Sequence, residues 1–143
     1  MDVRPPAAAG VLYPSDRWAL RATLRTLLDD APTDGPAPKA LIVPHAAYQD
    51  VGPLAAVAYA RLAQDRGVIR RIILLGPAPV VRLAGIALCS AGGFATPLGI
   101  LEVDRPTVGR LAQLPSVSVE DLAHAFEHSL EVQLPFLQET LED

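Results

Sequence analysis

The run Ile72-Ile73-Leu74-Leu75 is the strongest constraint that this chain places on its own fold. Four consecutive large apolar residues leave no polar face, and Gly76-Pro77 halts the run before it can become a helix. A short run bounded in this way reads as a strand, Arg70 to Leu75, buried on both faces, as in a parallel sheet covered by helices. Lys39 to Val43 repeats the pattern and ends at Pro44-His45. Gly85 to Ser90 reads as a third strand. Residues 100–103 read as a small strand or hairpin arm, and Val117 to Val119 as a short extended piece. Ala91-Gly92-Gly93 and Thr96-Pro97-Leu98-Gly99 read as turns.

Helical spacing fills the intervals. After an extended arm over residues 1–14, Ser15 is a fair cap for a helix running to about Asp29, with Leu20, Leu24, Leu27 and Leu28 inward. Ala31 to Pro38, with three prolines and a glycine, is a loop. Pro53 is placed for the first turn of a second helix, whose inner face is Leu54, Val57, Ala58 and Leu62 and whose end is Gly67. Pro106 to Leu114 reads as a helix. Ser129 to Leu141 carries Leu130, Leu134, Leu137 and Leu141 on one face, and Pro135 kinks that stretch or starts its second half. The alternation predicts an α/β fold over residues 1–143, one domain, with a single-layer, mostly parallel sheet flanked by helices. In such sheets the ligand crevice lies at the carboxyl ends of the strands, so His45 and Ala78 both fall at the rim.

Composition removes several classes. The net charge is −4 and no basic block exists beyond Arg70-Arg71, so the footprint of a nucleic-acid binder is missing. No apolar run reaches the ~18 residues that span a bilayer. The first residues show no basic region followed by an apolar stretch, so the expected compartment is the cytoplasm. Cys89 stands alone, which leaves no internal disulfide and reads as a small core residue.

Several blocks stand in a telling order: Gly10-Val11-Leu12-Tyr13-Pro14, Pro44-His45-Ala46-Ala47-Tyr48 with Gly52, and Leu75-Gly76-Pro77. Thr96-Pro97-Leu98-Gly99 with Val103-Asp104 follows, then Glu127-His128-Ser129-Leu130-Glu131-Val132-Gln133-Leu134-Pro135-Phe136. Together they resemble the Memo-like family, also known as AmmeMemoRadiSam system protein B, which is distantly similar to class III extradiol dioxygenases. The last block is long and unusual and carries most of the specificity. The resemblance implies that the chain corresponds to about half of a Memo-like domain. In that family the turn continues Ser-His-His, and its second histidine looks like a metal ligand. Here Pro79 and Val80 occupy those two positions, and neither side chain can coordinate. The family's second half is expected to supply a further ligand.

By the same resemblance His45 is the surviving ligand and His128 a second pocket histidine. With Tyr48 and Glu127 they form the candidate pocket. No catalytic residue, cofactor or metal is expected; iron or copper would need about three protein ligands, so His45 and His128 would serve only if another chain completed the site. Other motifs are weaker. His124 and His128 stand four apart without the Glu of a His-Glu-x-x-His pattern, and read as a solvated helix end. Ser129 beside His128 lacks a nucleophile elbow, and Gly92-Gly93 lacks the following lysine of a phosphate loop. Tyr13 and Tyr48 read as half-buried packing residues with satisfied hydroxyls.

The expected function is therefore a non-catalytic assembly or small-ligand-binding module of unknown biological role. The alternative is a metal-dependent, dioxygenase-like oxidoreductase whose site is completed at a subunit interface. Half of a sheet should leave an edge and an apolar face uncovered. That predicts a homodimer or other oligomer, or a separate subunit supplying the missing half.

Overall fold

The computed structural model describes residues 2–79 and 81–141. Its core is built from helices at the two ends of the chain. The Leu20/Leu24 stripe drives α1 (Arg17–Asp29), whose cap is Asp16 rather than Ser15. The Asp16 carboxylate reaches the Ala19 amide at 2.8 Å, and a negative charge at a helix start adds to the capping bond. Helix α2 (Tyr48–Ala60) begins five residues before Pro53, so that proline sits inside the helix. The earlier start is stabilised by the Tyr48 amide, which donates to the Leu12 carbonyl at 2.9 Å and ties the helix to the N-terminal arm.

The inner face of α2 also differs from expectation. Gly52, Ala55, Ala56 and Tyr59 are buried, whereas Leu54 and Val57 are exposed. Gly52 favours this rotation: a Cβ there would lie 2.9 Å from Leu27 Cδ1, so any other residue would make that side chain shift. Tyr59 stacks on Phe136 with centroids 5.0 Å apart, and Tyr48 meets the same ring at 4.9 Å. Phe136 belongs to α5 (Leu134–Leu141), where Pro135 occupies the first turn and needs no amide partner. The 3-10 turn Glu131–Gln133 precedes it, so Pro135 starts the second half of that stretch.

The strands form two small sheets. β1 (Val3–Arg4) runs parallel to β3 (Gly93–Thr96), and β3 pairs antiparallel with β4 (Gly99–Glu102). β2 (Ile86–Leu88) runs parallel to β5 (Val117–Val119). Helix α3 (Arg105–Leu111) lies between β4 and β5 in sequence, and α4 (Leu122–Ala125) follows β5. The class is α/β; among the described residues two of the three strand pairings are parallel, and five helices flank them.

Lys39 to Val43 and Arg70 to Leu75 depart from expectation: both lie outside every ladder among the described residues. Ile73 is 67% exposed and Leu75 79%, so the run is not buried on both faces. An apolar run specifies a need for cover, whereas a strand also needs a neighbour about 4.8 Å away. Here Ile72 and Leu74 are separated from Leu88, Ile100, Val108 and Leu137 by a cavity of about 1220 Å3. No helix among the described residues is long and apolar enough to cross a membrane.

Candidate functional site

One short stretch, Glu127 to Gln133, gathers the distant parts of the molecule. Glu131 lies at its centre and is fully buried. Its carboxylate accepts from the Ala7 amide at 2.8 Å, the Ala8 amide at 2.8 Å and the Tyr13 hydroxyl at 2.7 Å, and pairs with Arg4. Burial opposes the charge on Glu131, but the Tyr13 hydroxyl, the two amides and Arg4 outweigh it and hold the carboxyl below its ordinary value. Arg4 is buried too. It donates to the His124 carbonyl at 2.8 Å and the Glu127 carbonyl at 2.6 Å, and lies 5.5 Å from the centre of the Phe94 ring. A buried ion pair with every donor and acceptor occupied fixes a geometry more than it adds stability. Here it fixes the N-terminal arm against the 127–133 stretch.

The same stretch reaches the two loop ends flagged in the sequence. Gln133 Nε2 donates to the Pro44 carbonyl at 3.1 Å, immediately before His45, while Gln133 Oε1 accepts from the Tyr59 hydroxyl at 2.8 Å. Ser129 Oγ lies 3.0 Å from the Pro77 carbonyl and 2.9 Å from Glu127 Oε2. Gly76 permits that approach. A Cβ there would lie 2.6 Å from Ser129 Oγ and 2.8 Å from Leu130 Cδ2, so the turn could not close on any other residue without shifting.

The outcome is a pair of imidazoles. His45, exposed, and His128, half-buried, have ring centroids 5.9 Å apart and planes inclined by 45°. Of the candidate pocket residues, these two are brought together directly. Glu127 is 2% exposed and turns to the opposite task. Its Oε2 accepts from Ser129 and from the Leu130 amide, and its Oε1 lies 3.8 Å from Arg4. Tyr48 is buried, and its hydroxyl donates to the Val132 carbonyl at 2.6 Å. Both tyrosine hydroxyls singled out in the sequence are thus satisfied, and burial pushes both up from their ordinary value. Tyr13 and Tyr48 line a separate surface cleft of about 460 Å3 between the arm, α1 and the start of α2.

His124 corrects the sequence reading. It is buried rather than solvated, with Nε2 3.2 Å from the Ala87 carbonyl and its ring edge-on to Phe94 at 6.2 Å. It lies on α4 while His128 lies on the loop beyond it, so the two never share a helix face. Cys89 is partly buried, and burial pushes its thiol up, which disfavours the thiolate that metals and electrophiles require.

The donor set can now be tested against a metal. Among the described residues no group of three His, Cys, Asp or Glu could hold an ion. The two imidazoles therefore do not by themselves fit an iron or copper centre needing about three protein ligands. Pro79, described at the turn, has no side-chain donor atom; Val80 lies outside the described residues.

Arg4, Gly76, Glu131 and Gln133 were not foreseen as the organisers of this region. A carboxylate flanked by Leu130, Val132 and Leu134 was the available signal, because an acid in an apolar run needs a buried partner.

Comparison with known proteins agrees with the blocks. The family model described as Memo-like protein matches residues 4–143. A MEMO1 family protein of Aquifex aeolicus is 37% identical over 138 residues, covering 96% of this chain and 50% of that protein. A MEMO1 family protein of Methanopyrus kandleri is 39% identical over 145 residues, covering 94% of this chain and 51% of that protein. The chain spans about half the length of the curated relatives it matches.

Proposed function

The chain belongs to the Memo-like family, and from that membership we propose a non-catalytic module of the cytoplasm, serving assembly or small-ligand binding beside the His45–His128 pair. The donor set carries this reading. Two imidazoles lie side by side, and the acid next to His128 in sequence, Glu127, commits one oxygen to Ser129 and Leu130 and lies beside Arg4 with the other. Two neutral ligands offer a divalent ion little charge compensation, and dioxygen chemistry at iron draws on a carboxylate or a third donor. Pro79 at the turn adds none.

Assembly is the second half of the proposal. The extended Arg70–Leu75 segment presents Ile73 and Leu75 to solvent and borders the cavity of about 1220 Å3. Apolar surface on this scale marks an interface. A second copy of the chain would cover it, or a subunit carrying the rest of a Memo-like domain.

The alternative, a metal-dependent oxidoreductase with its site completed by another chain, draws support from the exposure of His45, which leaves the imidazole pair open to an incoming donor. Metal content of protein purified without chelator, measured beside light scattering, separates the two. The module reading expects far less than one iron or copper per chain at every oligomeric state. One equivalent of either metal, lost on His45→Ala, would replace it with the oxidoreductase.

A further inference from the structure

The Gln133 side chain makes three hydrogen bonds, and two of them reach outside its own stretch. Its Nε2 donates to Pro44 at 3.1 Å and to the Ser129 carbonyl at 3.2 Å, and its Oε1 accepts from Tyr59 at 2.8 Å. The side chain is 5% exposed, so it contributes no solvation and exists in the fold only through these bonds. Its amide is oriented by its partners: the Pro44 and Ser129 carbonyls only accept, so the end facing them is the NH2, and Tyr59, held on α2 by stacking on Phe136, donates to the oxygen. That leaves the two amide hydrogens pointing at the residue before His45 and at the residue after His128. One planar group thereby bridges the backbone on either side of the histidine pair.

We propose that Gln133 is the positioning residue of the His45–His128 pair: its amide sets the separation of the two imidazoles and touches neither. The Pro44 bond is the decisive contact. Lys39 to Val43 lies in no ladder among the described residues, so no sheet hydrogen bond holds the His45 loop from the upstream side. Downstream, the loop is held by the start of α2, where Tyr48 donates to Leu12. Tyr48 also ties the loop's end to the 127–133 stretch through its hydroxyl on the Val132 carbonyl, and the Pro44 carbonyl, immediately before His45, is the tie nearest the ring. The assignment rests on the proposed site but holds whether the imidazole pair takes a small ligand or a metal supplied with further donors, because it concerns only the ring geometry.

Two variants separate positioning from simple support. Gln133→Met keeps length and removes every polar contact; Tyr59→Phe removes only the Tyr59 bond and leaves the Pro44 bond possible. Both lose core hydrogen bonding, and only the first frees the His45 loop. The readout is the cross-relaxation between imidazole protons of His45 and His128 in histidine-labelled protein. His124 against Phe94 serves as the internal reference, since that contact lies on the far side of Arg4. The chain has three histidines, so the assignment is tractable. The expected result is loss of the His45–His128 cross-peak in Gln133→Met, its retention in Tyr59→Phe, and an unchanged His124–Phe94 contact in both. If Gln133→Met does not fold, Gln133→Glu replaces it above neutral pH: the carboxylate still accepts from Tyr59 and cannot donate to Pro44. A His45–His128 cross-peak that survives either Gln133 variant, or that vanishes equally in Tyr59→Phe, overturns the proposal.

Discussion

Replacing Glu131 by Gln changes one atom and should unlatch the N-terminal arm. The carboxylate accepts four bonds, two at each oxygen. If the new amide nitrogen sits where Oε2 was, its hydrogens meet the Arg4 guanidinium and the Ala7 amide, donor against donor. If it sits where Oε1 was, the Tyr13 hydroxyl can turn and accept, but the Ala8 amide cannot. In either orientation Arg4, buried beside Phe94, loses its neutralising charge. Removing one partner of a buried ion pair costs about 3–5 kcal/mol. Against the roughly 7–21 kcal/mol available to a domain of this length, that is a large fraction. Arg4→Met should recover part of it, because the uncompensated cation is then gone, and the double variant should fall short of the summed losses by about 0.5–3 kcal/mol.

The assay is urea unfolding followed by circular dichroism, with hydrogen exchange at the Ala7 and Ala8 amides. Those amides should lose protection before the global transition, since their acceptors are on Glu131 alone. Acid adds an independent check. A carboxyl held below its ordinary value of 4.5 contributes stability that is present above that value and is lost as the pH falls through the lower folded value. Glu131→Gln cannot titrate, so its stability should fall less steeply in that acid window than the parent's. A variant within about 1 kcal/mol of the parent, with Ala7 and Ala8 still protected, would refute the view that this pair holds the arm in place.

Gly76→Ala places a carbon 2.6 Å from Ser129 Oγ and should cost about 1–3 kcal/mol by overpacking, with Ser129→Ala partly relieving it in a double-mutant cycle read by thermal unfolding. Asp104 caps α3 through the Thr107 amide and hydroxyl and pairs with Arg71, which holds its carboxyl at about 2. Its contribution is therefore present above the ordinary 3.8 and disappears as pH falls through about 2; Asp104→Ala should speed amide exchange at Thr107 without altering the rest of the chain. Ile73→Lys charges a residue already 67% exposed, so the subunit should fold normally while any self-association seen by light scattering weakens; unchanged association would place the interface elsewhere.

The helices were readable because their signals are local. Leu20 and Leu24 at spacing four, a proline tolerated at the start of α5, and the short apolar pattern of β5 each depend on a few neighbouring residues. The Arg70–Leu75 run was readable only in part. Its composition states that it wants cover, and composition says nothing about which backbone will pair with it; that information sits in other segments, and among the described residues none supplies it. The rotation of α2 was lost for a related reason. Leu54 and Val57 are the larger apolar groups, but the face that packs is chosen by what can be brought closest, and Gly52 and Ala56 let α1 approach where leucine would not.

The pocket shows the same division. His45 and His128 were placed together by resemblance of motifs, and they do meet. Glu127, adjacent to His128 in sequence, was drawn into the pocket by that adjacency and instead turns toward Arg4, 123 residues away. In a loop, neighbouring side chains diverge, and a buried carboxylate follows the nearest cation rather than the nearest imidazole. The cation was at position 4, in an arm that reads as featureless proline and alanine. The long block from Glu127 to Phe136 therefore has a physical reason for its residue types that precedes any chemistry. Glu131 needs Arg4, Gln133 needs Tyr59 and Pro44, and Ser129 needs Gly76. A chain can keep every one of those needs whatever side chains stand at the rim, so the block identifies the scaffold and leaves any reaction to the residues of the rim.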